Sequence, residues 1–108
     1  MLPKKNRANK NKVERVFKEG KFINSPFFSF KFVLNKLSRT RQISVVVPKS
    51  VSKLAVSRNK LRRLGYKSLE QHLPLFPIGI EGVLMFKKPN EDVLAIEDEI
   101  KHIASKIN

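Results

Sequence analysis

Of the 23 Lys and Arg residues in this 108-residue chain, nineteen fall within residues 1–67, where only Glu14 and Glu19 oppose them. That stretch carries a formal +17, and residues 68–108, with four bases and seven acids, carry −3. Like charges at this density repel one another and work against compaction. Such a chain needs periodic apolar segments to fold at all, and a polyanion beside its basic surface. Nucleic acid is the leading candidate.

The periodic segments are present, and the 41% apolar content suffices for one modest core at this length. Asn9 or Asn11 can cap a short helix through about Lys18, closed by Gly20, with Val13, Val16 and Phe17 on one face. After Pro26, Phe27 to Leu34 reads as a strand with Phe28, Phe30, Phe32 and Leu34 on one side and Ser29 and Lys31 on the other. Asn35–Thr40 is a polar loop, Arg41–Val47 a second strand, and Pro48 its end. Ser50 or Ser52 can cap a long helix reaching about Leu73, stopped by Pro74 and Pro77. Gly79–Lys87 is another strand. Pro89-Asn90 opens a last helix striped by Val93, Ile96, Ile100, Ile103 and Ile107, with Glu91 and Asp92 at its positive end.

The order is α–β–β–α–β–α, with a third early strand if residues 20–47 split. Helices over one face of a small, mainly antiparallel sheet define an α+β fold, a two-layer α/β sandwich around a long basic helix. One RNA-binding domain spans residues 1–108, with residues 1–8 as a flexible basic arm.

Several functions are disfavoured. Without Cys there is no disulfide framework, thiolate metal site or Cys nucleophile, which fits a reducing, cytoplasmic location. No apolar run reaches the roughly 18 residues of a membrane span, and no h-region follows the basic N-terminus. An anionic membrane surface ranks below RNA or DNA, because the bases alternate with β-patterned segments and form no single long amphipathic helix. His72 and His102 lack ligand-like spacing, and Glu97, Asp98 and Glu99 are consecutive, so they spread around a helix and are expected to balance nearby bases. No Gly-rich phosphate loop or nucleophile–base pair is recognisable. Neither catalytic nor metal-binding residues are assigned.

The central helix carries the chemistry. At about 100° per residue, Leu54, Ser57, Leu61, Leu64, Gly65, Ser68 and His72 fall on one side, suited to close packing on a sheet. Arg58, Asn59, Arg62 and Tyr66 form one flank, and Lys60, Arg63 and Lys67 the other. A basic helix is often only a solvated face, but here no acid stands before Glu70 to neutralise the run. Arg offers a planar fork for phosphate oxygens, and Asn59 can bond phosphate or a 2′-hydroxyl. Arg58, Asn59, Lys60, Arg62, Arg63, Lys53 and Lys67 are the expected RNA contacts.

These residues also carry a resemblance. Ala55-Val56-Ser57-Arg58-Asn59-Lys60-Leu61-Arg62-Arg63 resembles the A-V-x-R-N-[RK]-x-[KR]-R signature of bacterial ribonuclease P protein subunits. Asn6-Arg7 with Val16-Phe17-x-x-Gly20, Val47-Pro48-Lys49-Ser50-Val51, and Gly79–Lys88 resemble that family's opening helix, strand end and penultimate strand. The resemblance implies a sandwich whose strand–helix–strand crossover is left-handed, against the general rule. It implies a small partner, one to one, of a catalytic RNA that removes the 5′ leader of precursor tRNA with Mg²⁺. In that family the signature helix faces the RNA subunit and a cleft receives the leader. Phe17, Lys31 and Lys49 are the residues of this chain carried over to the cleft. Phe17 is open to two readings, core residue or base-stacking platform.

The chain departs from the pattern at Val13, Lys31, Pro48, Ser50, Gly65, Tyr66 and Lys67. The departures bear more on the leader-contacting surface than on the motif helix. A structured-RNA-binding module of ribosomal type, with no part in tRNA processing, explains charge and size equally well but not the ordered motif matches. A stand-alone ribonuclease lacks a catalytic constellation.

Overall fold

In the computed structural model, which describes residue 7 and residues 10–107, the elements run α1 (Lys10–Glu19), β1 (Lys21–Asn24), β2 (Phe28–Leu34), β3 (Gln42–Val46), α2 (Ala55–His72), a 3₁₀ turn (Leu73–Leu75), β4 (Ile80–Phe86) and α3 (Val93–Ile107). The rest of the basic arm and the capping candidate Asn9 lie outside the described residues. Residues 20–47 do split. β1 and β2 form an antiparallel hairpin, Lys21 opposite Phe32 and Asn24 opposite Ser29, closed by a 2.9 Å bond from Ser25 N to Phe28 O.

The four strands are ordered β1-β2-β4-β3. β2 and β4 are antiparallel, while β3 lies parallel to β4 and reaches it through α2. The mixed α+β sheet with three helices agrees with the expected class.

Alternation assigns the two faces of the sheet. Phe28, Phe30 and Phe32 share one face with Leu84 and Phe86 of β4 and with Ile43 and Val45 of β3, according to the register. Phe28 and Phe86 meet edge to face at 4.6 Å between centroids. Leu34, expected on this side, is exposed where the strand runs out. Ile96, Ile100 and Ile103 of α3 and Leu61 and Leu69 of α2 complete the core. Asp92 caps α3, its Oδ1 accepting from Leu94 N at 3.1 Å and Ala95 N at 3.4 Å. Gly65 sets the approach of α2, because a Cβ there would stand 2.9 Å from Val45 Cγ1 and 3.3 Å from Phe86 Cε1. A larger residue at this position would push the helix off the sheet.

α1 lies across part of the reverse face, which holds Ser29, Lys31, Glu81, Val83 and Met85 by alternation. Val16 and Val83 are buried there, apart from the main core. Lys12 and Arg15 of α1 stand 3.6 and 3.7 Å from the carboxylate of Glu81.

Two expectations for α2 are corrected. Neither Ser50 nor Ser52 caps it: Leu54 occupies the N-cap with an extended backbone and no side-chain bond. The serines are taken up by a turn after Pro48, whose carbonyl accepts from Val51 N at 3.0 Å and Ser52 N at 3.3 Å, so the helix starts beyond their reach. The buried seam is also rotated. Leu54 is 69% exposed, whereas Tyr66, placed on a cationic flank, is buried together with Leu69. α2 packs against both the sheet and α3, which widens its buried arc beyond a single stripe.

Candidate nucleic-acid interface

α2 projects most of the predicted cations outward. Lys53 in the preceding turn and Asn59, Lys60, Arg63 and Lys67 on the helix are exposed, and Arg58 and Arg62 are half-buried. Among the described residues, no carboxylate lies within ion-pair distance of Arg58, Arg62 or Arg63. The basic run is therefore not neutralised within the molecule. Lys60 Nζ pairs with Glu91 Oε2 at 3.3 Å, a contact exposed on both sides and worth little in water.

The signature residues differ in what holds them. Arg62 Nη1 donates to Asn59 Oδ1 at 2.9 Å, one turn of helix apart, so that Asn59 orients the guanidinium and turns its own amide outward. Arg63 and Lys67 line an open groove with Glu70 and Gln71. Arg58 instead bends back: its Nη1 donates to Ser52 O at 3.0 Å and Lys53 O at 2.8 Å. It secures the turn leading into the helix, a role that its place in a basic run did not reveal. With acids absent from the first turn and no side-chain cap, the N-terminal end of α2 keeps its positive partial charge open to an anion.

A second basic feature lies on the reverse face. Phe17 of α1 and Ser29, Lys31, Val83 and Met85 of the sheet line a small cleft. Phe17 is 42% exposed, so it is not a core residue. Lys31 Nζ stands 5.2 Å from the Phe17 ring centroid and 5.9 Å from that of Phe22. Lys49, expected in the same cleft, is exposed in the turn after β3 and is not among the cleft's lining residues.

Phe22 beside Lys31 and the contact of Arg7 with Tyr66 escaped the sequence reading. The register signal for Phe22 was available, since a hairpin turn at Ser25-Pro26 sets it opposite Lys31. Arg7 lies 5.2 Å over the ring of Tyr66, joining the N-terminal segment to α2 in a contact without local sequence signal. Glu97 and Glu99 of the acidic triplet of α3 make contacts within the fold. Glu99 Oε1 accepts from Ser25 Oγ at 2.6 Å and Phe27 N at 2.8 Å, and Glu97 stands 3.7 Å from His72 Nε2. Its expected role as a balance for nearby bases is thus replaced, at Glu99, by anchoring the β1–β2 turn. No helix of the described residues is long and apolar enough to cross a membrane.

The fold recurs in solved proteins. The RNase P protein of Staphylococcus aureus matches with a TM-score of 0.80 at 22% identity, over 95% of both chains. That of Thermotoga maritima matches with a TM-score of 0.80 at 22% identity, over 94% of this chain and 97% of its own. Sequence similarity is closer to the ribonuclease P protein component of Pseudanabaena sp. (strain PCC 6903), 31% identical over 98% of this chain and 94% of the relative. A family model described as Ribonuclease P spans residues 2–108, the motif helix and both ends of the sheet included. A basic helix with its signature intact, set in this sheet order and matched along its whole length, places the chain in the ribonuclease P protein family.

Proposed function

We propose that the chain is the protein subunit of a ribonuclease P ribonucleoprotein, binding the catalytic RNA through α2 and the 5′ leader of precursor tRNA through the Phe17–Lys31 cleft. The observation that carries this reading is the open basic face of α2, where Arg62 and Arg63 meet no carboxylate of the described residues, in a chain of this family. Arginine forks there suit phosphate oxygens, and each contact releases counterions from the RNA. Lys53 and Lys67 extend the cationic path, and Asn59 holds Arg62 in place. Lys49, outside the cleft lining, belongs with the turn that Arg58 secures and serves incoming RNA as a peripheral charge.

Catalysis is assigned to the RNA. Among the described residues no group of three or more His, Asp or Glu side chains could hold a metal ion. The Mg²⁺ of the proposal is bound by RNA in the 1:1 holoenzyme, and no step is routed through this chain. The protein's part is electrostatic: it neutralises phosphates where leader and RNA subunit converge, favouring precursor over matured product. A cytoplasmic location follows from the same reading.

Incubation of the purified protein with precursor tRNA in Mg²⁺, with and without the candidate RNA subunit, tests it. Protein-dependent stimulation of 5′-leader cleavage only when RNA is present is the expected result. Cleavage by protein alone would make it a nuclease, and binding without stimulation a structured-RNA module.

A further inference from the structure

We propose that a cavity between α2 and α3 is a pocket for one guanine base, with the phosphate of that nucleotide held by Lys67. The pocket stands on its own geometry. Only the source of the nucleotide, an unpaired position in RNA, rests on reading α2 as the RNA-facing helix.

Leu64, Lys67, Ser68 and Gln71 of α2 and Val93 and Glu97 of α3 line a cavity of about 150 Å³. A cavity of that volume accommodates one six-membered ring. Leu64 and Val93, from different helices, give such a ring apolar contact. The polar groups around it have hydrogen-bonding capacity that the fold leaves unused. Ser68 is 3% exposed and its Oγ is buried without a hydrogen-bond partner, which favours a ligand that supplies one. Glu97 stands 3.7 Å from His72 Nε2, beyond hydrogen-bond distance, so its carboxylate still calls for donors. Among the described residues, Lys67 meets no carboxylate within ion-pair distance, and Gln71 makes no side-chain hydrogen bond.

The carboxylate chooses the base. An ionised carboxylate only accepts, and two donors side by side satisfy its two oxygens. Of the four RNA bases, only guanine presents such a pair, N1–H beside the N2 amino group, on its six-membered ring. Adenine and cytosine set a ring acceptor next to their amino groups, and uracil flanks its N3–H with two carbonyls. Each of these turns a lone pair toward Glu97. Guanine O6, an acceptor, suits the Ser68 hydroxyl or the Gln71 amide. Lys67 and Gln71 also line the open groove beside Arg63. A strand whose phosphates follow Arg63 and Lys67 therefore passes the cavity, and an unpaired base can turn into it.

The test titrates the full chain with 5′-GMP by amide NMR, with IMP, AMP, CMP and UMP alongside. GMP should shift the amides of Ser68, Gln71 and Glu97 and bind about tenfold tighter than AMP, CMP or UMP. IMP, which lacks the N2 amino group, should fall between. Glu97→Gln should lower GMP affinity about tenfold and erase most of the preference, whereas Lys67→Ala should weaken all the nucleotides alike. Ser68→Ala removes an unsatisfied buried hydroxyl, so it should weaken GMP binding while leaving the thermal midpoint unchanged or higher. Equal binding of GMP and AMP, or undiminished GMP affinity in Glu97→Gln, overturns the guanine pocket. The source is read in the complex with the RNA subunit, using a glyoxal reagent that attacks N1 and N2 of unpaired guanines. One guanine protected by the wild-type protein, and reactive again with Glu97→Gln, places the nucleotide in RNA. GMP selectivity with no such guanine assigns the pocket to a free guanine nucleotide and overturns the RNA source. A wild-type protein that binds GMP selectively but fails to bind the RNA subunit would defeat the reading of α2 and leave the pocket standing.

Discussion

Glu81 is the residue whose position most defies its chemistry. It is 1% exposed on β4, within a strand otherwise buried along almost its whole length. A carboxylate loses several kcal/mol of hydration on burial unless partners replace the water. Here they arrive from three directions: Lys12 at 3.6 Å and Arg15 at 3.7 Å from α1, and Asn35 Nδ2 donating at 3.3 Å from the loop after β2. The acid fastens the short helix to the reverse face of the sheet, where Val16 alone provides a fully buried apolar contact from α1 among the described residues. Removing one partner of a fully buried pair costs about 3–5 kcal/mol. Lys12 and Arg15 are partly exposed and can rehydrate, so Glu81→Ala should cost less, about 1–3 kcal/mol in urea unfolding. The same variant should speed tryptic cleavage at Lys12 and Arg15 as α1 loosens. Unchanged stability and cleavage would show that Glu81 does not hold the helix.

At the scale of the element, α2 shows what a sequence encodes and what it leaves to the fold. Its basic composition, its stop near Pro74 and the small residue at Gly65 were legible, because each acts through local chemistry. The orientation was not. A single-stripe rule centres the seam on Leu54, Leu61 and Ser68, but α2 is flanked by sheet and α3 together, and that second neighbour draws Tyr66 and Leu69 inward. The anchoring of Ser25 and Phe27 by Glu99 was equally hidden, since those partners lie more than 70 residues away in sequence. The division between Arg58 and Arg63 follows from geometry and separates their effects. Arg63→Ala should weaken assembly with the RNA subunit and reduce its salt slope by about 0.9, as one phosphate contact is lost, with stability within about 0.5 kcal/mol of wild type. Arg58→Ala frees the Ser52 and Lys53 carbonyls and should lower stability by about 1–2 kcal/mol, because hydrogen bonds from a charged donor are lost. Fluorescence titration at several salt concentrations, beside urea melts, would distinguish them. Identical profiles for the two variants would place both arginines in one role.

For the whole molecule, the excess of bases sets the response to salt. The full sequence carries a net +14, and the Cα radius of gyration is 12.7 Å. On a body of this size like charges are separated by distances comparable with the Debye length, about 10 Å at 0.1 M salt, so they repel in the free protein. Added salt screens that repulsion and should raise the thermal midpoint of the isolated chain between 50 and 200 mM. The same salt competes with the protein for RNA. If roughly 6–10 phosphates are neutralised, affinity for the RNA subunit should fall by about 10³–10⁵ over that interval. The two responses have opposite signs and one cause, which makes them a stringent pair. The RNA-bound protein adds a third sign: its cations are already compensated, so salt should lower its thermal midpoint by dissociating the complex. Calorimetry of free and bound protein across that salt range, with parallel binding isotherms, reads all three. A free protein indifferent to salt would mean that ion pairs inside the fold already absorb the repulsion. A salt-independent affinity would mean that shape and stacking, not the basic face of α2, hold the RNA.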